Sequence, residues 1–239
     1  MKRFWDDAGI EKLDSGWRVT LDGKPVHVPG GASLSVPGRV LAEAVAEEWR
    51  GAGGGRGGDM SYADLPLTRL AGTAQERIAP DPEPVALELA RYGETDLLCY
   101  RAEAPDALVR RQEEAWQPWL DWAERRFGAR LRTTTGIVHV PQDPAALAAL
   151  AEAVARLDPL SLAALGVAVP LLGSLVLGLA MADGALDAET AHRIAGLDEL
   201  FQAELWGLDE EAEARRARVA ADLAAAGRLL ALARIPDPG

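Results

Sequence analysis

Leu160 to Ala182, LSLAALGVAVPLLGSLVLGLAMA, runs without a single charge. No other stretch limits the fold as tightly. A run of that length either crosses a bilayer as one helix or sits in a core that covers it on most sides. Pro170 interrupts it, since proline removes an intrahelical hydrogen bond and its ring clashes with the preceding turn. Asp158 and Asp183 flank it, where a membrane span would carry Lys, Arg or aromatic anchors. The run therefore reads as two shorter buried helices meeting at Pro170, with no membrane insertion. Covering them requires a bundle of further helices.

The second part of the chain supplies that bundle. Val85–Tyr92, Ala107–Phe127, Ala145–Leu157 and Ala188–Ile194 all read as helices, and a last one ends near Arg234. In that last helix Ala212, Val219, Leu223, Ala226, Leu230 and Ala233 form a seam suited to packing on the buried pair. Pro118 lies inside Ala107–Phe127, so a kink or a restart is expected there. Trp116, Trp119 and Trp122 recur every third residue and spread over a broad arc, which suits a helix buried on two sides. Arg132–Val140 reads as an isolated β stretch or an extended connector.

Ahead of Pro80, Pro82 and Pro84 the pattern differs. Trp17–Leu21 alternates, Asp22-Gly23 is a hairpin turn before Pro25–Val28, and Ser33–Val36 reads as a third strand. Val40, Leu41, Ala44, Val45 and Trp49 mark a helix over Gly38–Arg50, and a second covers Pro66–Ile78. The three prolines form a stiff spacer. The expectation is an α+β chain: a small β-meander/helix domain at residues 1–80, then a larger, mostly helical bundle at 81–239.

Chemistry is harder to find. His27, His139 and His192 stand alone, without the second ligand at the spacing of a zinc or iron site. No nucleophile elbow, phosphate-binding loop or zincin helix is present. The glycine-rich Gly51–Gly58 matches a dinucleotide fingerprint at Gly53, Gly55 and Gly58, but a helix precedes it and Asp59-Met60-Ser61 follows. The fingerprint works only between a strand and a helix, so the segment reads as a flexible connection. Cys99, the single cysteine, excludes an intrachain disulfide and sits in an apolar run that favours inert burial. Glu94 and Asp96 stand at a helix end, where they cap it or else belong to a polar cluster with Arg69 and Arg77. A net charge of −12 disfavours nucleic acid and anionic membranes as partners. No secretory or transit signal opens the chain.

One further stretch stands out, Leu197–Glu211, LDELFQAELWGLDEE. Leu197, Leu200, Phe201, Leu205 and Leu208 fall on one helical face, whereas Trp206 projects to the other, among Glu199, Gln202 and Glu210. An aromatic in that position needs another surface, either within this protein or on a partner. Gly207 is placed to close the helix and Asp209 to cap the next, with Glu210 and Glu211 in its first turn.

Taken together, WRVTLDGKPV (17–26), LAEAVAEEW (41–49), LPLTRLAGTA (65–74), YGETDLLCYRAE (92–103), WLDWA (119–123), GSLVLGLA (173–180) and the Leu197–Glu211 stretch resemble the assembly chaperone family of the F-type ATP synthase. The resemblance runs from Arg3-Phe4-Trp5 to the last helix. It implies an orthogonal helical bundle for the second domain, no catalysis, no cofactor, and a client: the free alpha subunit of the catalytic head. It also implies that the family's sensitive acid, a few residues after a Trp-Gly pair, is matched by Glu210, with Asp209 or Glu211 able to share the role. Gly72 departs from the family, which usually has Asn there. A bacterial cytoplasmic member is favoured, or the mitochondrial matrix for a processed eukaryotic form, and a monomer when free. The competing reading is a small-molecule-binding protein or enzyme built on Glu94, Asp96, Arg69 and Arg77.

Overall fold

The computed structural model describes residues 1–207 and 209–237. They fall into two units, one containing residues 1–82, 158–164 and those from Arg228 onward, the other residues 83–157 and 165–227. In the first unit, strands β1 (Ala8–Leu13) and β2 (Gly16–Leu21) pair antiparallel, with Ala8 opposite Leu21 and Leu13 opposite Gly16. β1 escapes the sequence reading because AGIEKL lacks a β-branched run and carries charge at its centre. Pairing holds it instead. Arg18 of β2 donates to both carboxylate oxygens of Glu11, the residue directly opposite, at 2.8 and 2.9 Å.

Asp22 and Gly23 both take positive φ, +47° and +77°, in the two-residue turn that leads to β3 (Lys24–Pro25). Strand β4 (Ser35–Val36) pairs with the start of β2, so the third expected strand closes a small antiparallel sheet. Helix α1 (Arg39–Gly51) packs on β1 and β2 through Leu41, Ala42, Val45, Ala46 and Trp49. Each of its larger apolar side chains contributes about 1.5–3 kcal/mol on burial. Glu48, on α1, then starts the next helix. Its two oxygens accept from the N–H groups of Leu67 (2.7 Å) and Thr68 (2.9 Å), capping α2 (Pro66–Thr73) from outside. α2 runs on into a π-helical turn, Ala74–Ile78. Burial raises the Glu48 carboxyl above its ordinary value, with those hydrogen bonds pulling the other way.

The glycine-rich segment is more tightly bonded than a flexible connection requires. Gly57 N–H donates to the Arg3 carbonyl (2.8 Å) and Arg3 N–H to that of Gly58 (3.0 Å). A Cβ at Gly58 would lie 1.8 Å from the Gly53 carbonyl oxygen. The glycines are needed for close backbone approach, and the next helical element is only a short turn at Tyr62–Asp64, so no phosphate-binding helix begins there. Arg3 itself is buried, and its guanidinium donates to the carbonyls of Trp5, Asp6, Arg50 and Ala52.

The second unit is helical. It comprises α3 (Glu83–Ala90), two short 3-10 turns, strand β5 (Tyr100–Arg101), α4 (Asp106–Phe127), strand β6 (Thr134–Thr135) and α5 (Pro144–Ala155). β5 and β6 are parallel, so the expected β stretch at Arg132–Val140 contributes only two paired residues. α4 does not restart at Pro118. Glu114, whose carbonyl loses its intrahelical donor there, is exposed to solvent, and so is Pro118. Trp116 is fully buried and donates to the Ile194 carbonyl, while Trp119 and Trp122 are half-buried.

α6 (Pro159–Leu172) and α7 (Leu175–Asp183) come from the uncharged run. They do not meet at Pro170, which lies exposed inside α6. The break falls at Gly173, with φ +62°, and Ser174, whose hydroxyl accepts from Leu177 N–H at the start of α7. A left-handed glycine followed by a serine cap ends a helix more decisively than a proline whose freed carbonyl can face water. Among the described residues no helix is long and apolar enough to cross a membrane. α7 lies so close to α6 that a Cβ at Gly178 would sit 2.5 Å from Val169 Cγ2. Gly178→Ala is therefore expected to lower stability by about 1–3 kcal/mol through overpacking. Urea unfolding would show it as a reduced midpoint at unchanged slope. α8 (Ala188–Ala195), α9 (Leu197–Trp206) and α10 (Glu210–Ala233) complete the chain.

Candidate functional site

The corner between α9 and α10 departs most from ordinary burial. Among the described residues of the α9 stripe only Phe201 is buried, Leu197 and Leu200 are half-buried, and Leu205 is 60% exposed. Leu208, expected on the same stripe, lies outside the described residues. The expected core face is thus correct for the first turns and fails at the last, where the helix loses its cover. Trp206 is 86% exposed, so it is not a strut between helices. Two neighbouring apolar side chains, Leu205 and Trp206, face water where a monomer gains nothing from them.

The rest of the corner is tied down. Arg111 of α4 stacks on Phe201 (5.1 Å to the ring centre) and donates to Glu204 at 2.7 Å, and Gln112 donates to Asp198 at 2.7 Å. Arg215 of α10 reaches back to Glu199 at 3.0 Å. Gly207, with φ +90°, turns the chain through a conformation that L side chains rarely adopt. Asp209 then caps α10 as expected: its carboxylate accepts from Glu211 N–H at 3.3 Å and its carbonyl from Glu213 N–H at 2.9 Å. Glu210, Glu211 and Glu213 occupy the first turn, where the helix dipole favours negative charge. Unlike Glu199 and Glu204, they have no cationic partner among the described residues. The result is an exposed tryptophan followed, within one turn of chain, by carboxylates free to meet cations.

The other sequence candidates divide between the units. Arg69 and Arg77 are exposed on α2 and the π-helical turn, in the first unit. Glu94 is exposed and Asp96 fully buried, in the second. Both Asp96 oxygens are committed, one accepting from Leu98 N–H at 3.1 Å and the other from Val176 N–H at 3.0 Å. That is capping, of its own turn and of α7 at once. Cys99 is buried, and burial beside Asp96 pushes its thiol up to about 12, away from nucleophilic use. Among the described residues no group of three or more His, Cys, Asp or Glu is placed to hold a metal ion. Ile137 (97% exposed) and Val138 (73%), apolar residues in the connector after β6, were not among the sequence candidates. Their signal was a short apolar run after Gly136 with neither helical nor strand period.

Residues 2–124 match the family described as ATP12 chaperone protein. Atp12 from Paracoccus denitrificans, known from its crystal structure, is 47% identical, superposes with a TM-score of 0.90 and is matched over 98% of each chain. The chain belongs to the ATP12 chaperone family. An Asp-to-Lys mutant of the P. denitrificans Atp12p matches equally well, at 46% identity and a TM-score of 0.90 over 98% of each chain. Protein atp12, mitochondrial, from Schizosaccharomyces pombe is 25% identical over 222 residues, covering 88% of this chain and 75% of its own. The ATP12 architecture is the expected α+β one, a small antiparallel sheet near the N-terminus with a helical bundle.

Proposed function

We propose that this ATP12 family member binds the free alpha subunit of the F-type ATP synthase, without ATP, and shields its assembly surface until the catalytic head is built. The family makes it a chaperone of ATP synthase assembly. The choice of the alpha subunit rests on the resemblance given above. The observation that carries the mechanism is the exposed Trp206 with Leu205 at the end of α9, next to the unpaired acids of α10. An unassembled subunit exposes apolar surface that its neighbours will later cover, and such surface aggregates if left open. In this reading Trp206 and Leu205 cover part of it, and Glu210, with Asp209 and Glu211, meets a basic group of the client. Tryptophan is among the side chains most enriched at interface hot spots.

Catalysis has no part in this reading. Asp96, the best acid for the competing small-molecule site, already has both oxygens bonded to backbone N–H groups. The setting is the bacterial cytoplasm, or the mitochondrial matrix in a eukaryote, with the chaperone a monomer when free. Co-expression with an isolated alpha subunit tests the proposal. Soluble alpha subunit that co-purifies with the chaperone supports it. An alpha subunit that stays insoluble with and without the chaperone would undo it.

A further inference from the structure

The first unit carries a pocket that the client corner does not use. It has a volume of about 340 Å³, a size that takes a few side chains. Val28, Leu34, Trp49 and Gly72 form its floor. Gly72 deepens that floor, since a Cβ there would lie 3.3 Å from Val28 Cγ1. The indole N–H of Trp49 is the one buried side-chain donor without an acceptor among the described residues, a costly state. Arg69, Thr73 and Arg77 line the same pocket and are exposed. Neither guanidinium has a hydrogen bond or ion pair among the described residues. Glu76, the pocket's carboxylate, is engaged by the N–H of Gly30. In a chain of net charge −12, an apolar floor under two unpaired cations is complementary to an acidic ligand.

The spacing says more. Arg69 and Arg77 are eight residues apart on a continuous helical path, roughly 10 Å or more along it. Two carboxylates at a matching separation could each meet one arginine. In an extended peptide, residues i, i+2 and i+4 share a face, and i to i+4 spans about 13 Å. We propose that this pocket docks an extended acidic segment of a partner polypeptide, one apolar side chain entering over Trp49 and Gly72 and a carboxylate two residues to either side meeting Arg69 and Arg77. A polypeptide is the natural occupant for a chaperone, and the inference does not depend on which subunit is the client.

The probe is a fluorescein-labelled, N-acetylated, C-amidated Glu-Ser-Leu-Ser-Glu peptide, titrated with the full chain and followed by anisotropy. Saturable binding is expected. It should weaken about tenfold or more when both glutamates are replaced by glutamine, and equally in Arg69→Glu/Arg77→Glu protein. Both arginines are exposed, so the thermal midpoint of that variant should not move. Thr73→Glu, which sets a carboxylate between them while removing neither, should give a similar loss. A Lys-Ser-Leu-Ser-Lys peptide should prefer the doubly reversed protein. The proposal is overturned if the acidic peptide fails to bind up to about 1 mM, if it binds both proteins alike, or if free glutarate competes as strongly as unlabelled peptide. The assay contains no alpha subunit, so its failure leaves the proposed client untouched.

Discussion

Glu210→Lys should abolish capture of the alpha subunit while the protein stays folded. Glu210 is exposed in the first turn of α10 and has no cationic partner among the described residues, so no internal contact is lost. The change does place a positive charge at the positive end of the helix dipole, at a stability cost of about 0.3–1 kcal/mol. At the interface the effect is larger. Reversing one member of a close charge pair removes its attraction and adds repulsion, on the order of 2–5 kcal/mol when the pair is desolvated. Such a loss takes a submicromolar complex beyond recovery in a pull-down. Circular dichroism and the thermal midpoint should be nearly unchanged. Capture that survives with an unaltered spectrum would remove Glu210 from the interface and move attention to Asp209 and Glu211.

Asp96→Ala should produce the largest loss of stability of any single change considered. Asp96 is fully buried and accepts from Leu98 N–H and from Val176 N–H, a donor of the first turn of α7. Leu97 N–H meanwhile bonds the Gly173 carbonyl at 2.9 Å, in the turn between α6 and α7. Alanine would leave those buried donors without acceptors and loosen two elements together, about 2–5 kcal/mol out of a total of about 5–15. Chemical denaturation measures it directly, and an unchanged midpoint would mean that water replaces the carboxylate. The same residue gives a pH signature. Burial raises its carboxyl from 3.8 to about 6, opposed by the N–H groups of Val176 and Leu98 and by Ser174. The folded protein then binds this proton more tightly than the unfolded chain does. Its stabilising contribution, about 3 kcal/mol from the shift alone, is complete below about pH 4 and is lost as pH rises through about 6. Asp96→Asn should remove that dependence, seen in urea midpoints across the interval. A variant with the wild-type slope would assign the titration elsewhere.

The helices of both units were legible because periodicity in a long window reflects which face is buried, as in α1, α2, α5 and α10. β1 was not legible, since its pairing with β2 outweighs a sequence that favours no strand. The boundary between α6 and α7 was misplaced because proline is the loudest breaker in a sequence, whereas Gly173 and Ser174 act through dihedral angle and capping. At the candidate corner, periodicity correctly turned Trp206 away from the core. It wrongly buried Leu205, because a helical wheel describes faces and does not reveal where a bundle stops covering them. Asp96 looked like either a cap or a reactive acid, and only the donors around it decide. The arginine-lined pocket was illegible. Its floor combines β-strand, loop and helix residues that no spacing links.

Arg3 illustrates a different selectivity. Among the described residues its guanidinium meets four carbonyl oxygens and no carboxylate, two of them, Arg50 and Ala52, at the C-terminal end of α1. Carbonyl dipoles at a helix end attract a cation, but they do so here from several directions around a planar fork. A lysine would bring the same charge on one compact ammonium, with three donors and no plane, and would leave part of that ring of acceptors unmet. Position 3 is thus matched to the shape of a side chain more than to its charge.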